Sequence, residues 1–430
     1  MGALNDTYNF SLSTISPVSI GNEQEAVSSF LEYIYDEKEL YFIDLGKIPH
    51  ATAEQITNFT SKIETDNNRF RANLEKLIKE SFGVEFDTIF TGEKYPISFI
   101  QDTDGELNER QLVLKRMLKT RNRPFLSGST LKGAIKAAIL YNWLKNDNNG
   151  KRYLKELSEK IDKDFEGIKG ILEKYTKLAK NFEKKEEDTK NMKQLAKQLN
   201  EVVSGIDSYF AKQIESIIFG DKDQNGNAVR YDASFLRVVD TPSVSADCVQ
   251  IEYIKRANVF DERKNKTEIP FLLETIKQDT DFDFQIQIPS NIFTHNSIRF
   301  GYLRFLQSPT MVTTLCKMLN EQTNDFLESE LNAALSIKPL DADYKRIKDL
   351  VTNDGKTAVL RIGFGKHYLN NSMALALKQH HVDTYKKWIQ LWQLTNEEKD
   401  SPVTRTLTHD NRLLGWVKLS FQNKKEAIKL

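Results

Sequence analysis

Phe125 to Lys136 reads FLSGSTLKGAIK, a small-residue turn that opens directly into an apolar helix. Such a turn leaves backbone N–H groups and a helix N-terminus available to an anion. Ser129 is the expected N-cap. Leu131, Ile135, Ala138 and Ile139 make an inward face, and further apolar residues wrap most of the helix, as in a helix buried in a domain core. Ser129, Lys132 and Lys136 fall at i, i+3 and i+7 and so share its one polar edge. The wider stretch Arg110 to Asn146 holds no Asp or Glu, yet carries Arg110, Lys115, Arg116, Lys119, Arg121, Arg123, Lys132, Lys136 and Lys145. A phosphodiester backbone is the natural ligand of such a surface.

The whole chain gives no such signal. Its 430 residues carry 61 Lys+Arg against 61 Asp+Glu, so only local segregation of charge points to a polymer partner. The length suggests two or three domains. Mean hydropathy of −0.52 fits a charge-rich globular protein. The longest apolar runs, such as Ala137–Tyr141, are far too short to span a bilayer, and no basic-then-apolar segment opens the chain. A cytoplasmic location and no membrane partner are expected. Cys248 and Cys316 are too few for a zinc site or a disulfide framework and read as buried thiols.

Thr7–Ile15 alternates Tyr8, Phe10 and Leu12 with polar residues, a half-buried strand that runs into the Ser16-Pro17-Val18-Ser19-Ile20-Gly21 turn. Glu32–Tyr35 and Leu40–Leu45 predict a hairpin, Ala53 to about Phe82 a helix, and Tyr95–Ile100 an edge strand containing Pro96. From Lys145 to about Phe210, Lys and Glu dominate, predicting a solvated helical insertion broken at Gly167, Gly170 and Gly205. Strands are expected at Ser234–Asp240, Val249–Tyr253 and around Phe282–Ile288, with a long hairpin tip over Lys255–Ile269. Beyond Pro309 the pattern is mostly helical to about Val351, and Tyr385–Leu394 predicts another helix. Val359–Ile362 and Trp416–Phe421 read as short strands.

Gly128 and Gly133 have Walker A spacing, but Ala134 and Ile135 stand where an NTPase needs Lys and Ser/Thr, which excludes that chemistry. A second acid-free stretch, Gly355–Val382, contains Lys356, Arg361, Lys366 and Lys378 around Gly363-Phe364-Gly365-Lys366-His367. Phosphate contact and a pure folding turn both fit it. None of the six histidines has metal spacing, and no cofactor is expected. His367 reads as an exposed loop histidine near phosphate, with general-base catalysis as the sharper alternative. Asp240 reads as a strand-end or turn residue. Phe125, Phe364 and Tyr368 suit either packing or stacking on splayed bases.

These residues also resemble a known family. FLSGSTLKGAIK (Phe125–Lys136) is similar to the "PGSSLKGAIR" element of the RAMP proteins of type III CRISPR effector complexes. LSTISPVSIG (Leu12–Gly21) resembles their first strand and "SPVHIG" turn. Phe219-Gly220-Asp221 and Val238-Val239-Asp240 resemble the later "FGD" and "VSD" landmarks, and Phe260–Glu274 the "IDR" hairpin region. RIGFGKHYLNNSMAL (Arg361–Leu375), with Pro402–Arg405 and Gly415–Leu419, resembles the C-terminal signature of the subunit-five branch in type III-A (Csm) complexes. Ser127 stands in place of the family's Pro, Lys136 in place of Arg, and His367 in place of Gly.

The resemblance implies an α+β fold: a ferredoxin-like (RRM-type) RAMP core over 1–290 with helical insertions at about 50–85 and 145–212. A mostly helical part over 291–430 would carry the Gly-rich loop 363–367. It implies a non-catalytic cap subunit at the crRNA 3′ end, aiding crRNA maturation and complex assembly in antiviral defence. The implied partners are crRNA, target RNA, backbone subunit three and small subunit two, and host nucleases that trim the guide. Expected RNA-binding residues are Arg121, Arg123, Gly128, Ser129, Lys132, Gly133, Lys136, Arg361, Gly363, Gly365, Lys366 and His367. The alternatives are a repeat-processing RAMP endoribonuclease using His367 or His409, and a cap or backbone subunit of a Cmr-type complex.

Overall fold

The computed structural model describes residues 5–28, 32–36, 38–66, 71–98, 113–180, 186–222, 228–230, 232–260, 270–289, 301–333, 337–395, 397 and 401–425. Arg110, most of the expected hairpin tip over Lys255–Ile269 and position 290 lie outside these residues. Helices and sheets mix throughout, an α+β fold.

The alternation of β1 (Asn5–Thr14) buries Tyr8, Phe10 and Leu12 as expected. β1 lies between β14 (Asp281–Pro289) and β17 (Trp416–Lys425), antiparallel to both. β11 (Arg237–Val238) and β15 (Thr357–Arg361) flank them, giving the order β11-β14-β1-β17-β15. Strands from both ends of the chain are thus neighbours within one sheet. A second sheet has the order β16 (Thr404–Thr408), β12 (Val249–Asn258), β13 (Phe271–Ile276), β6 (Val113–Met117), β2 (Gly21–Ser28). Only the β13–β6 pair in it is parallel.

The expected hairpin forms as β3 (Tyr33–Tyr35) and β4 (Glu39–Ile43), extended by β5 (Phe90–Pro96). Two helices, α1 (Ala53–Asp66) and α2 (Arg71–Phe82), replace the single helix expected there. With α3 (Phe86–Ile89) they close a separate small core containing Phe59, Ile78 and Phe86. The expected strand Ser234–Asp240 shrinks to β11, because Asp232–Phe235 is a 3-10 turn. Two small hairpins remain: β7 (Lys119–Thr120) with β8 (Arg123–Pro124), and β9 (Asp221–Lys222) with β10 (Ala228–Arg230).

The apolar helix α4 (Gly128–Asn146) is buried among α5 (Asn148–Lys180), α8 (Met311–Leu331) and α10 (Ser372–His380). α5 and α6 (Glu186–Tyr209) form the helical insertion, followed by a π-helical turn Phe210–Glu215 and α7 (Ser216–Phe219). Gly167, Gly170 and Gly205 lie inside α5 and α6 and break neither. Each exposed helical glycine costs about 1 kcal/mol, less than the buried stripe of Leu154, Leu157, Ile161 and Phe165 returns on α5. α9 (Lys338–Asp349) and α11 (Val382–Trp392) complete the C-terminal helices. Cys316 is buried in α8, which pushes its thiol up to about 12, whereas Cys248 is only half-buried. Among the described residues no helix is long and apolar enough to cross a membrane.

One junction fixes the loops at the ends of these strands. Phe364 N–H donates to Ser19 O at 2.8 Å, Gly415 N–H to Pro17 O at 2.8 Å, and Ile362 N–H to Gly415 O at 2.7 Å. Gly363 and Gly415 have φ of 62° and 84°. A Cβ at Gly363 would lie 2.1 Å from Ser19 O, and one at Gly415 2.3 Å from Ile362 O. These glycines are set by backbone packed on backbone, which admits no side chain. Gly363→Ala combines an unfavourable φ with that clash and should cost about 2–4 kcal/mol in urea unfolding. A loss below about 1 kcal/mol would show that the junction yields.

Candidate nucleic-acid interface

The α4 N-terminus is shaped by the chain itself. Ser127, not Ser129, is the N-cap: its Oγ accepts from Ser129 N–H at 3.3 Å, and Gly128 already lies in the helix. Gly128 N–H donates to Asp240 Oδ1 at 2.7 Å, so one free N–H of the helix end meets a carboxylate of the chain. Leu126 and Thr241 exchange two bonds, Leu126 N–H to Thr241 Oγ1 at 2.9 Å and Thr241 N–H to Leu126 O at 3.0 Å. A Cβ at Gly128 would lie 2.4 Å from Val238 O. Gly128 therefore allows close packing on the Val238–Asp240 segment and is buried, whereas close approach of RNA was expected there.

The acid-free stretch is not acid-free in space. Arg116 and Lys119 both meet Glu93 and Glu274, the latter fully buried. Lys145 pairs with Glu321 at 3.0 Å and Asp325 at 2.6 Å. Lys136 pairs with Glu215 at 3.0 Å and lies 4.6 Å from the centre of the Phe219 ring. Lys115 lies over Phe271.

Other members of the stretch face outward. Arg121 and Asn122, with φ of 52° and 63°, form the exposed two-residue tip of the β7–β8 hairpin. Arg123, also exposed, donates to Val244 O at 3.3 Å and Ser243 O at 3.5 Å. Ser129 is exposed, and Lys132 is half-buried beside Lys136, both effects lowering its pKa. Gly133 is exposed within α4, and a Cβ there would meet nothing within 4 Å.

The Gly-rich loop divides its residues between packing and surface. Arg361 is buried, donating to Leu414 O at 2.9 Å and Asn370 Oδ1 at 3.4 Å, and burial depresses it to about 10. Gly365, with φ of 93°, packs on Leu414 and Arg361. Lys366 is accessible at the surface yet crowded by protein, and desolvation, with Arg361 nearby, depresses it to about 8. Ala134 and Ala137 of α4 and Arg361, Lys366 and Asn370 of the loop line one small cavity of about 30 Å³. The two basic stretches, far apart in sequence, therefore meet. Phe364 packs edge-on against Phe271, and Tyr368 lies 4.6 Å from Trp392, so both rings serve the interior.

The His367 imidazole is only 8% exposed, where an exposed loop histidine was expected. Its Nδ1 accepts from Leu369 N–H at 3.4 Å, and its Nε2 lies 3.5 Å from Glu330 Oε2. Glu330, fully buried, also accepts from Arg405 at 2.7 and 2.8 Å and from the Tyr344 hydroxyl at 2.6 Å. His409 is exposed in the turn after β16, edge-on to Tyr253. Among the described residues no group of three or more His, Cys, Asp or Glu could hold a metal.

Burial holds His367 near 4, below its usual 6.5, while Arg405 keeps Glu330 well below the carboxylate range. The unfolded chain protonates His367 first, so its contribution to stability is full above pH 6.5 and lost toward pH 4, about 3 kcal/mol in all. Glu330 gives stability present above 4.5 that is lost only at more acid pH, below its depressed value. Glu252, buried on β12 and pushed up to about 7, acts oppositely: its contribution is present below 4.5 and lost as pH rises through 7. In urea unfolding between pH 6.5 and 4, His367→Gln should flatten the acid loss of stability and Glu252→Gln should steepen it. An unchanged slope in His367→Gln would mean that this imidazole is solvated in the folded state.

The curated protein "CRISPR system Cms protein Csm5" of Streptococcus thermophilus is 31% identical over 154 residues, 33% of this chain and 40% of that protein. Two solved structures match nearly end to end at 18% identity. A chain from the cryo-EM structure of a Csm–crRNA–target RNA ternary complex in a type III-A CRISPR-Cas system aligns with TM-score 0.62, covering 96% of this chain and 100% of that one. The crystal structure of T. onnurineus Csm5 aligns with TM-score 0.58, covering 95% and 99%. At that identity they show a common fold. Residues 11–337 match the RAMP superfamily, and the chain belongs to that family.

Proposed function

We propose that this chain is the subunit-five RAMP protein of a type III-A (Csm) CRISPR effector complex. In this reading it binds the guide RNA as a non-catalytic cap at the crRNA 3′ end and aids guide maturation and assembly. Its fold likeness to a Csm chain over 96% of its length and its relation to a Csm5 support the assignment. Its neighbours would be crRNA, target RNA, backbone subunit three and small subunit two, with host nucleases trimming the guide. The RNA-facing core would be ferredoxin-like, spanning 1–290, with the Gly-rich loop supplied from 291–430.

The observation that carries RNA binding is the meeting of α4 and the Gly-rich loop at one cavity, with Lys366 beside it. Gly133 adjoins that cavity through Ala134. Among the described residues nothing within 4 Å requires a glycine there, and in a helix it costs about 1 kcal/mol relative to alanine. An approaching backbone is placed at Gly133 because, unlike the equally open Gly167, Gly170 and Gly205, it adjoins that cavity. Arg121, Arg123, Ser129, Lys132 and Lys366 offer the phosphate contacts. Gly128, Gly363, Gly365, Arg361 and His367 hold the surfaces that carry them.

Arg121→Ala with Lys132→Ala should weaken guide RNA binding about tenfold and lower the salt slope by about 0.7 for each lost single-strand contact. Gly133→Ala should raise stability by up to about 1 kcal/mol while weakening the same binding. Unchanged affinity and salt dependence in both variants would overturn the site. Metal-free cleavage of repeat RNA that is lost in His409→Ala would replace the non-catalytic reading with a nuclease.

A further inference from the structure

The cavity between α4 and the Gly-rich loop collects hydrogen-bond donors that the chain does not use. Its lining includes Arg361, Lys366, Asn370 and Trp416, and no Asp or Glu. Arg361 is held rigid through Nε and Nη1, and the charges of Glu330 and Asp343 act on its guanidinium. Trp416 is 1% exposed, and its buried Nε1–H has no partner among the described residues. A buried donor without an acceptor is costly, and native proteins leave few of them. Lys366 pairs with no carboxylate among the described residues, although it crowds against Arg361. The buried carboxylates near Arg361 are hydrogen-bonded elsewhere, Glu330 to Arg405 and Tyr344 and Asp343 to Arg346 and Leu413 N–H.

We propose that this cavity is a subsite for a terminal phosphate of the bound RNA, a phosphate monoester at a chain end. The proposal rests on the RNA-binding reading above. A volume of about 30 Å³ has room for about two water-sized atoms, so two terminal oxygens of a phosphate would enter it with phosphorus at its mouth, and a nucleobase would not fit. A monoester brings three terminal oxygens on a single ester link and a charge of about −1.5 to −2 near neutrality. An internal phosphodiester carries one charge and is tethered on both sides. Converging cations in a desolvated pocket favour the monoester. Desolvation first, and then the charge of Arg361, depress the Lys366 ammonium, and a bound phosphate would oppose the second effect.

The test uses the full chain and three single-stranded RNAs of one sequence, ending in a 3′-phosphate, a 5′-phosphate, or hydroxyls at both ends. One phosphorylated RNA should bind about tenfold tighter than the hydroxyl form, and which one it is identifies the end that enters. The ratio of the two affinities should fall to about one in Lys366→Met and in Trp416→Phe, which keeps the ring packing, and should persist in Lys366→Arg. Reading a ratio within each variant separates the pocket from any general loss of binding. Equal binding of all three RNAs by the unaltered chain would overturn the subsite and leave RNA binding intact. A preference that survives both Lys366→Met and Trp416→Phe would also overturn it. Failure to bind any of the RNAs would overturn the functional reading itself.

Discussion

Where the turn after β1, the Gly-rich loop and Gly415 meet, three backbone segments lie against one another with no room for a side chain between them. Ser19 O accepts from Phe364 N–H, Pro17 O from Gly415 N–H, and Gly415 O from Ile362 N–H. Buried backbone groups must be paired, and here each loop satisfies its neighbour. The same contacts connect the first strand of the chain to the last, since β1 and β17 run side by side. Everything on the Gly-rich loop takes its direction from this junction. Arg361 is driven inward against Trp416, His367 is placed beside Glu330, and Lys366 is left at the surface.

Charge in this protein is arranged in three dimensions rather than along the chain. Arg116 and Lys119 look like part of a basic tract, yet Glu93 and Glu274 reach them from β5 and β13. Burying such ions costs desolvation that pairing only partly returns, so their use lies in fixing which elements adjoin rather than in net stability. Lys145 does the same between α4 and α8. The basic residues at the surface are fewer than the sequence count implies: Arg121 and Arg123 at the hairpin tip, the half-buried Lys132, and Lys366.

Much of the architecture was legible because it rests on period-two alternation and turn residues. Tyr8, Phe10 and Leu12 on β1 and Phe282 to Ile288 on β14 bury the faces their spacing predicts. The errors arose where tertiary contacts decide. Glycines in α5 and α6 resemble breaks in the sequence, but a long buried stripe carries the helices through them. His367 was read as exposed because loop composition cannot reveal a buried Glu330 from a distant helix. The cap fell to Ser127 because Asp240 and Thr241, more than a hundred residues on, fix where α4 begins.

The sequence landmarks that suggested the family touch one another in the fold. SPVSIG meets GFG through Ser19 and Gly363, FLSG meets VVD through Gly128 and Asp240, and the Phe219 of FGD lies beneath Lys136. This answers what Ser127 does in place of proline. The turn needs no rigid ring, because Leu126–Thr241 and Gly128–Asp240 already hold it. It also separates two kinds of glycine that sequence alone cannot. Gly128 and Gly363 have the chain itself where a Cβ would go, and packing accounts for them fully. Gly133 has open space there, beside Lys132 and the cavity that Lys366 borders. Gly167, Gly170 and Gly205 have the same open space on α5 and α6, so what sets Gly133 apart is its place beside Lys132 and that cavity.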